Sequence, residues 1–259
     1  MPLPTLPTEL QRLLRHATWQ RDDIGMSSAQ TYRVDGRDSF YLKIDAVEPW
    51  GGLKTETEAL VWLRTYLPAP EVIYYDRVDG TDYLLMRTLP GRPASDEHWQ
   101  RDPVRLAQTL AGAMRALHQL DPRTCPFDQR TSIKLAAAAR TVRLGLVDMD
   151  NFDDENDERT PEDILAQLFA EQPVEEDLVV THGDFCPTNL ILDNWTLSGF
   201  IDPDGLGVGD RYQDLALCTR ELTDLFGSSQ YNAHFFAAYG LAAVDEAKLR
   251  YFRLLDELN

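Results

Sequence analysis

Between His182 and Asp214 the chain reads HGDFCPTNLILDNWTLSGFIDPDGLGVGDRYQD. Asp184 is followed after four residues by Asn189, and thirteen positions later the apolar run Gly-Phe-Ile delivers Asp202. These residue types at this spacing suit transfer of a phosphoryl group to a hydroxyl. A carboxylate is needed to orient the acceptor hydroxyl and take its proton. Magnesium is hard and takes oxygen ligands, so an amide oxygen and a second carboxylate beside the phosphates can hold it. Asp184 is therefore the candidate base, with Asn189 and Asp202 the candidate metal ligands. Asp and Asn also favour turns for purely conformational reasons. Three such groups, each beside a short β-like run, exceed what turns require. His182 reads as a brace for this loop, with a second base as the alternative. Asp214 opens the helical run QDLALCTREL, which suits a cap or a loop anchor.

The spacing from Asp184 to Asn189, with a further Asp at a strand end, is also that of the protein-kinase catalytic loop. Such residues need a scaffold, and the pattern along the chain supplies one. TYRV and SFYLKI flank the polar turn VDGRDS, TETEALVWLRTYL is apolar at helical spacing, and VIYYDRV and DYLLMRT flank DGT. Lys43 sits inside SFYLKI between Leu42 and Ile44. An unpaired buried charge is costly, so one reading aims it at ATP phosphates, steadied by Glu56 or Glu58 on the following helix. The other makes it an exposed edge-strand lysine. Upstream, GMSSAQTY has no GxGxxG but offers Ser27 and Ser28 as phosphate donors. From Asp102 onward helical patterns dominate, at PVRLAQTLAGAMRALHQL and near 161–171, 213–225 and 245–258, with LVVTH, NLILD and SGFID as short extended pieces. The expectation is an α+β, bilobal, protein-kinase-like fold: an N-terminal β-rich nucleotide-binding lobe over 1–88, a connector at 89–93, and a larger, mainly helical catalytic and substrate-binding lobe over 94–259.

The 259 residues carry 43 acidic against 25 basic side chains, a formal net charge of -18. That surface repels nucleic acid and anionic lipid and attracts a polycation. No apolar run approaches the roughly 20 residues that span a bilayer, and the N-terminal MPLPTLPTELQRLLRH does not read as a secretory leader. Three widely spaced cysteines, Cys125, Cys186 and Cys218, argue against a disulfide framework. A cytoplasmic protein is expected. Two acidic clusters stand out, Asp148–Asp163 and the C-terminal LLDELN, and each taken alone reads as solvated surface.

Across nearly its whole length the chain resembles the aminoglycoside phosphotransferase family, specifically its 3'-phosphotransferase branch. GMSSAQTY, YLK, the E-x5-W-L helix, LLM, ALHQLDPRTCPFD, VTHGDFCPTNL, SGFID, LGVGDRYQDLAL and the closing LLDELN carry the resemblance in order. It implies ATP as cosubstrate, Mg2+ as metal, and transfer to the 3'-hydroxyl of a kanamycin- or neomycin-type aminoglycoside, conferring resistance. By motif match, Asp184 is the base, Asn189 and Asp202 hold magnesium, Lys43 contacts the nucleotide phosphates, and Glu56 pairs with it. Ser27 falls in the phosphate-covering loop, and the connector from Arg87 to Leu89 meets adenine. Asp150, Asp153, Asp224, Asp256, Glu257 and the Asn259 carboxylate face the drug's ammonium groups, so the two acidic clusters serve one site. A monomer or weak dimer is expected. The alternatives are a kinase of another aminoglycoside position or other amino-alcohol, and a degenerate kinase fold that only binds a polycation.

One stretch departs from the pattern. The family reads I-D-x-G-R after the strand, whereas this chain has Ile201-Asp202-Pro203-Asp204-Gly205. A cation beside Asp202 is lost and an anion is gained two residues away. The base, amide and metal carboxylate remain, so activity is expected to persist.

Overall fold

The structure, a computed structural model, describes residues 6–22, 29–47, 52–149, 152, 156 and 158–258. Its first compact unit spans residues up to Gly91 and takes back Ser198–Asp204; the second holds Arg92–Leu197 and Gly205–Asn259. The expected division has no counterpart to that returning segment.

The first unit opens with α1 (Thr8–Leu13) and continues through β1 (Thr18–Asp22), β2 (Gln30–Asp35), β3 (Ser39–Ala46), α2 (Leu53–Leu63), β4 (Val72–Val78) and β5 (Thr81–Arg87). The strands form one antiparallel sheet in the order β1-β2-β3-β5-β4. Side chains alternate between the faces of a strand. Tyr32, Val34, Leu42, Ile44, Tyr83 and Leu85 thus share one face, which Leu10 and Leu14 cover from the α1 end. Helix α2 contacts β3, β4 and β5. The β4–β5 turn, Asp79-Gly80, has positive φ at both residues, 50° and 78°. That is a type I′ hairpin, whose twist matches the strands it joins.

The second unit carries β6 (Arg92–Pro93), α3 (Glu97–Gln100), α4 (Pro103–His118), α5 (Thr131–Leu144) and α6 (Pro161–Ala170). It continues through β7 (Leu178–Thr181), β8 (Leu190–Asp193), β9 (Thr196–Phe200), β10 (Gly207–Asp210), α7 (Tyr212–Phe226), α8 (Asn232–Tyr239) and α9 (Glu246–Asp256). The end of β9 belongs to the returning segment. Helix α4 starts cleanly because Asp102 accepts the Arg105 N–H at 3.1 Å and Pro103 sits in the first turn. Its stripe of Leu106, Leu110, Met114 and Leu117 is fully buried, α4 packs on α8, and α7 packs on α9. Strands β7 and β10 pair antiparallel, as do β6 and β8. No helix among the described residues is long and apolar enough to cross a membrane.

Candidate active site

Lys43 lies on β3, in the interior of the sheet rather than at its edge, and is only 9% exposed. Neighbours Leu42 and Ile44 face the α1 side, so Lys43 points to the face that α2 contacts. There its Nζ bonds Glu56 Oε1 at 2.9 Å and Oε2 at 3.0 Å, and Asp202 Oδ1 at 2.6 Å. The choice between the two glutamates is thereby settled by geometry. Glu56 is buried against Lys43, whereas Glu58 is exposed and lies 3.7 Å from Lys54.

Asp202 reaches this cluster because the strand before it is closely seated. The Phe200 N–H donates to Pro68 O at 3.0 Å. A Cβ at Gly199 would come within 2.6 Å of Leu89 Cδ1 and 2.9 Å of Pro68 O, so only glycine fits there. Asp202 itself has φ of 54°, a conformation that non-glycine residues seldom adopt. Its Oδ2 has no partner among the described residues, and its side chain is 42% exposed.

Electrostatics in this cluster are lopsided, with one ammonium held by two carboxylates and a third, Asp204, acting on Glu56. Burial pushes the Glu56 carboxyl up; Lys43 opposes that, while the charges of Asp202 and Asp204 add to it, and the result is about 7. For Lys43 burial works against the charged form, but Glu56 and Asp202 outweigh it and hold the proton more firmly than usual.

The side chain of Arg87 reaches Glu71 Oε2 at 3.1 Å and Asp38 Oδ1 at 3.2 Å. The N–H groups of Arg87 and Thr88 donate to Glu71 O and Ser39 O, at 2.9 and 3.1 Å. The next amide donor in this connector is that of Leu89.

In the second unit Asp184 is exposed while Gly183, Phe185 and Cys186 beside it are buried. Asn189 donates its Nδ2 to Asp184 Oδ2 at 2.7 Å and to Asp184 O at 3.1 Å. Committing the amide nitrogen this way leaves Oδ1 as the acceptor end of Asn189. Asp184 Oδ1 likewise has no partner among the described residues.

The loop is pinned from behind. Asp214, fully buried, accepts the backbone N–H groups of His182 and Gly183 at 2.7 and 3.0 Å, and His118 Nε2 lies 3.0 Å away. Burial alone would raise the Asp214 carboxyl, but the hydrogen bonds it accepts from His118 and from the His182 N–H bring it below the ordinary range. Asp210, one residue before the helix's N-cap Arg211, accepts the Tyr212 N–H at 3.0 Å; Asp214 is the loop anchor. The His182 ring is buried, edge-on to Phe185 at 6.2 Å.

The acidic residues divide three ways. Asp224 is exposed near the end of α7. Asp256 accepts from Arg220 Nη2 at 2.8 Å, and Glu257 is buried, accepting from Asn156 Nδ2 at 2.8 Å. Ser27, Asp150, Asp153 and Asn259 lie outside the described residues. Sequence reasoning missed two groups. One is His118 behind the loop. The other is Glu221, whose carboxyl is raised by burial, with Arg220 opposing and Asp224 and Asp184 adding. The three-residue step from Glu221 to Asp224 puts both on one helix face and was visible in TRELTD.

A lysine–glutamate pair behind a β-sheet, together with an exposed aspartate held by an asparagine five residues on, is the apparatus of a phosphoryl-transferring enzyme. A profile described as the phosphotransferase enzyme family matches residues 18–252, and the chain belongs to that family. Within it, the chain is 41% identical to an aminoglycoside 3'-phosphotransferase of Niallia circulans, over 97% of this chain and 96% of the relative. A crystal structure of an aminoglycoside-3'-phosphotransferase of type VIII matches with a TM-score of 0.88 and 37% identity, covering 97% of this chain and 98% of that one. A Streptomyces rimosus aminoglycoside phosphotransferase, solved in complex with ADP and streptomycin, matches at 0.84 and 28% identity, covering 96% and 95%. The expected α+β, protein-kinase-like fold is thus the fold of this chain.

Proposed function

We propose that this protein transfers the γ-phosphoryl group of ATP to the 3'-hydroxyl of a kanamycin- or neomycin-type aminoglycoside, and so confers resistance. Full-length similarity to aminoglycoside 3'-phosphotransferases supports the substrate class. The observation that carries the chemistry is the exposed Asp184 carboxylate, fixed through Oδ2 by Asn189 and lying on a loop held by Asp214.

Asp184 Oδ1 accepts the hydrogen bond of the substrate hydroxyl, then its proton as the oxygen attacks phosphorus. Asn189 holds the carboxylate in one orientation, so little reorganisation is needed at the moment of reaction. Lys43, kept charged by its carboxylates, meets the phosphates of ATP, and Glu56 keeps its ammonium on the correct side of the sheet. The Leu89 amide offers a donor to adenine, and Ser27 covers the phosphates. His182 fills the space beneath the loop.

The oxygen donors present fit magnesium. Asn189 Oδ1 and the Asp202 carboxylate are hard ligands, and Asp202 retains an oxygen without a partner among the described residues. Asn189 and Asp202 would hold such an ion by the family pattern, and when bound it would offset charge on the transferring phosphates. Glu221 and Asp224 supply the anionic lining that a polycation seeks; the family pattern adds Asp150, Asp153 and the Asn259 carboxylate to it, and Asp256 and Glu257 join it as acids already shared with Arg220 and Asn156. The regiochemistry is tested by offering kanamycin and an analogue lacking the 3'-hydroxyl. ADP release with the first and none with the second is expected. Equal turnover of both would move the reaction to another position.

A further inference from the structure

Behind Asp214 the hydrogen bonds continue. His118, on α4, places Nε2 at 3.0 Å from Asp214 Oδ2 and Nδ1 at 2.8 Å from the hydroxyl of Tyr239 on α8. That hydroxyl accepts an N–H from Arg211 Nη1 at 3.0 Å, and Arg211 Nη2 donates to Asp177 Oδ1 at 2.9 Å. His118 and Tyr239 are both buried, at 8% and 5% exposure.

We propose that Tyr239 is a positioning residue for phosphoryl transfer: it holds His118 as the neutral tautomer protonated on Nε2, the form that donates to Asp214. Direction along the chain follows from what each group can do. A guanidinium only donates, so its bond occupies a lone pair on the tyrosine oxygen. The single hydroxyl proton is then free to point at Nδ1. An imidazole nitrogen that accepts leaves the ring proton on the other nitrogen. Nε2–H therefore faces Asp214, whose ionised carboxylate can only accept.

The opposite tautomer would turn an imidazole lone pair onto that carboxylate. A second proton on His118 would set a cation one hydroxyl away from Arg211. Neither is favoured in a buried site. With Nε2–H fixed, Asp214 is met by donors alone, and both of its oxygens stay on the N–H groups of the two residues preceding Asp184. Tyr239 touches no reacting atom. It acts through His118 and Asp214, and its effect on rate rests on the reading of Asp184 as base.

The test uses the full chain and Tyr239→Phe. Histidine ring 15N spectra, with the His118 signals identified by their absence in His118→Gln, read the tautomer directly. The wild-type protein should show neutral His118 protonated on Nε2, and Tyr239→Phe should populate the Nδ1–H form. In the same variant kcat for kanamycin-dependent ADP release should fall roughly tenfold, with KM for both substrates within about twofold. A glutamine amide donates without a tautomer to choose. Adding Tyr239→Phe to His118→Gln should therefore lower kcat by less than about twofold. The proposal is overturned by a wild-type His118 protonated on Nδ1 or on both nitrogens. It is equally overturned if the whole Tyr239→Phe effect persists in the His118→Gln background. Full activity in Asp184→Ala would instead remove the base assignment, while the ring spectra still decide the tautomer.

Discussion

Gly183 and Gly205 meet backbone to backbone. A Cβ on Gly183 would lie 2.1 Å from the Gly205 carbonyl oxygen, and Gly183 has φ of 90°. Both facts demand glycine at the residue before Asp184. In the reverse direction the fit is looser, since a Cβ on Gly205 would lie 3.2 Å from Gly183 Cα. The pair predicts a graded response. Gly183→Ala must displace the loop and should lower kcat by roughly 10²-fold, the usual cost of moving a catalytic group by about 1 Å. Gly205→Ala needs a shift of a few tenths of an ångström and should keep most of the rate. Restoring the family pattern with Asp204→Gly and Gly205→Arg should leave kcat unchanged or raise it, provided the Gly183 loop yields that far. Steady-state kinetics on the three variants checks the order.

How far these positions were legible in the sequence depends on distance along the chain. Asp184, Asn189 and Asp202 announce themselves because their spacing is local. Lys43 did not, since SFYLKI reads equally well as an edge strand or an interior one. Only the pairing of β3 with both β2 and β5 decides between them. His118 was hidden for a similar reason. It sits 96 residues from Asp214, in a helix whose apolar stripe accounts for a buried histidine by itself. The C-terminal acids were read as a cluster, yet Asp256 is committed to Arg220 and Glu257 to Asn156. Acidic sequence reports charge; it does not report which charges are already answered.

The Lys43–Glu56 pair makes a prediction in pH. Glu56 is raised to about 7 in the folded protein from an ordinary value of 4.5. A raised folded value means that folding favours the protonated carboxyl. Its contribution to stability is therefore complete below 4.5 and is lost as pH climbs through about 7. Lys43→Met removes the opposing ammonium, so the carboxyl rises further and the decline extends to higher pH. Breaking the buried pair should also cost about 3–5 kcal/mol at neutral pH. Glu56→Gln should flatten the slope. Melting temperatures from pH 4.5 to 8 measure all three; identical pH profiles in wild type and Glu56→Gln would contradict the assignment.

Substrate charge can be probed at Glu221, which shares its environment with Asp184 and Asp224. Glu221→Gln should raise KM for kanamycin several-fold and leave KM for ATP alone. The difference should shrink as salt rises, because the screening length falls from about 8 Å at physiological ionic strength to about 3 Å at 1 M. A KM ratio that does not respond to salt would assign Glu221 a purely structural task.

The central claim is that Asp184 takes the hydroxyl proton of an aminoglycoside during phosphoryl transfer from ATP. Magnesium-dependent ADP release in the presence of kanamycin, measured on the wild-type chain and on Asp184→Ala, tests it most directly. The expected result is turnover that requires kanamycin and falls in the variant by at least about 10²-fold, the lower range for removal of a general base. Kanamycin-dependent turnover of similar rate in both proteins would contradict it.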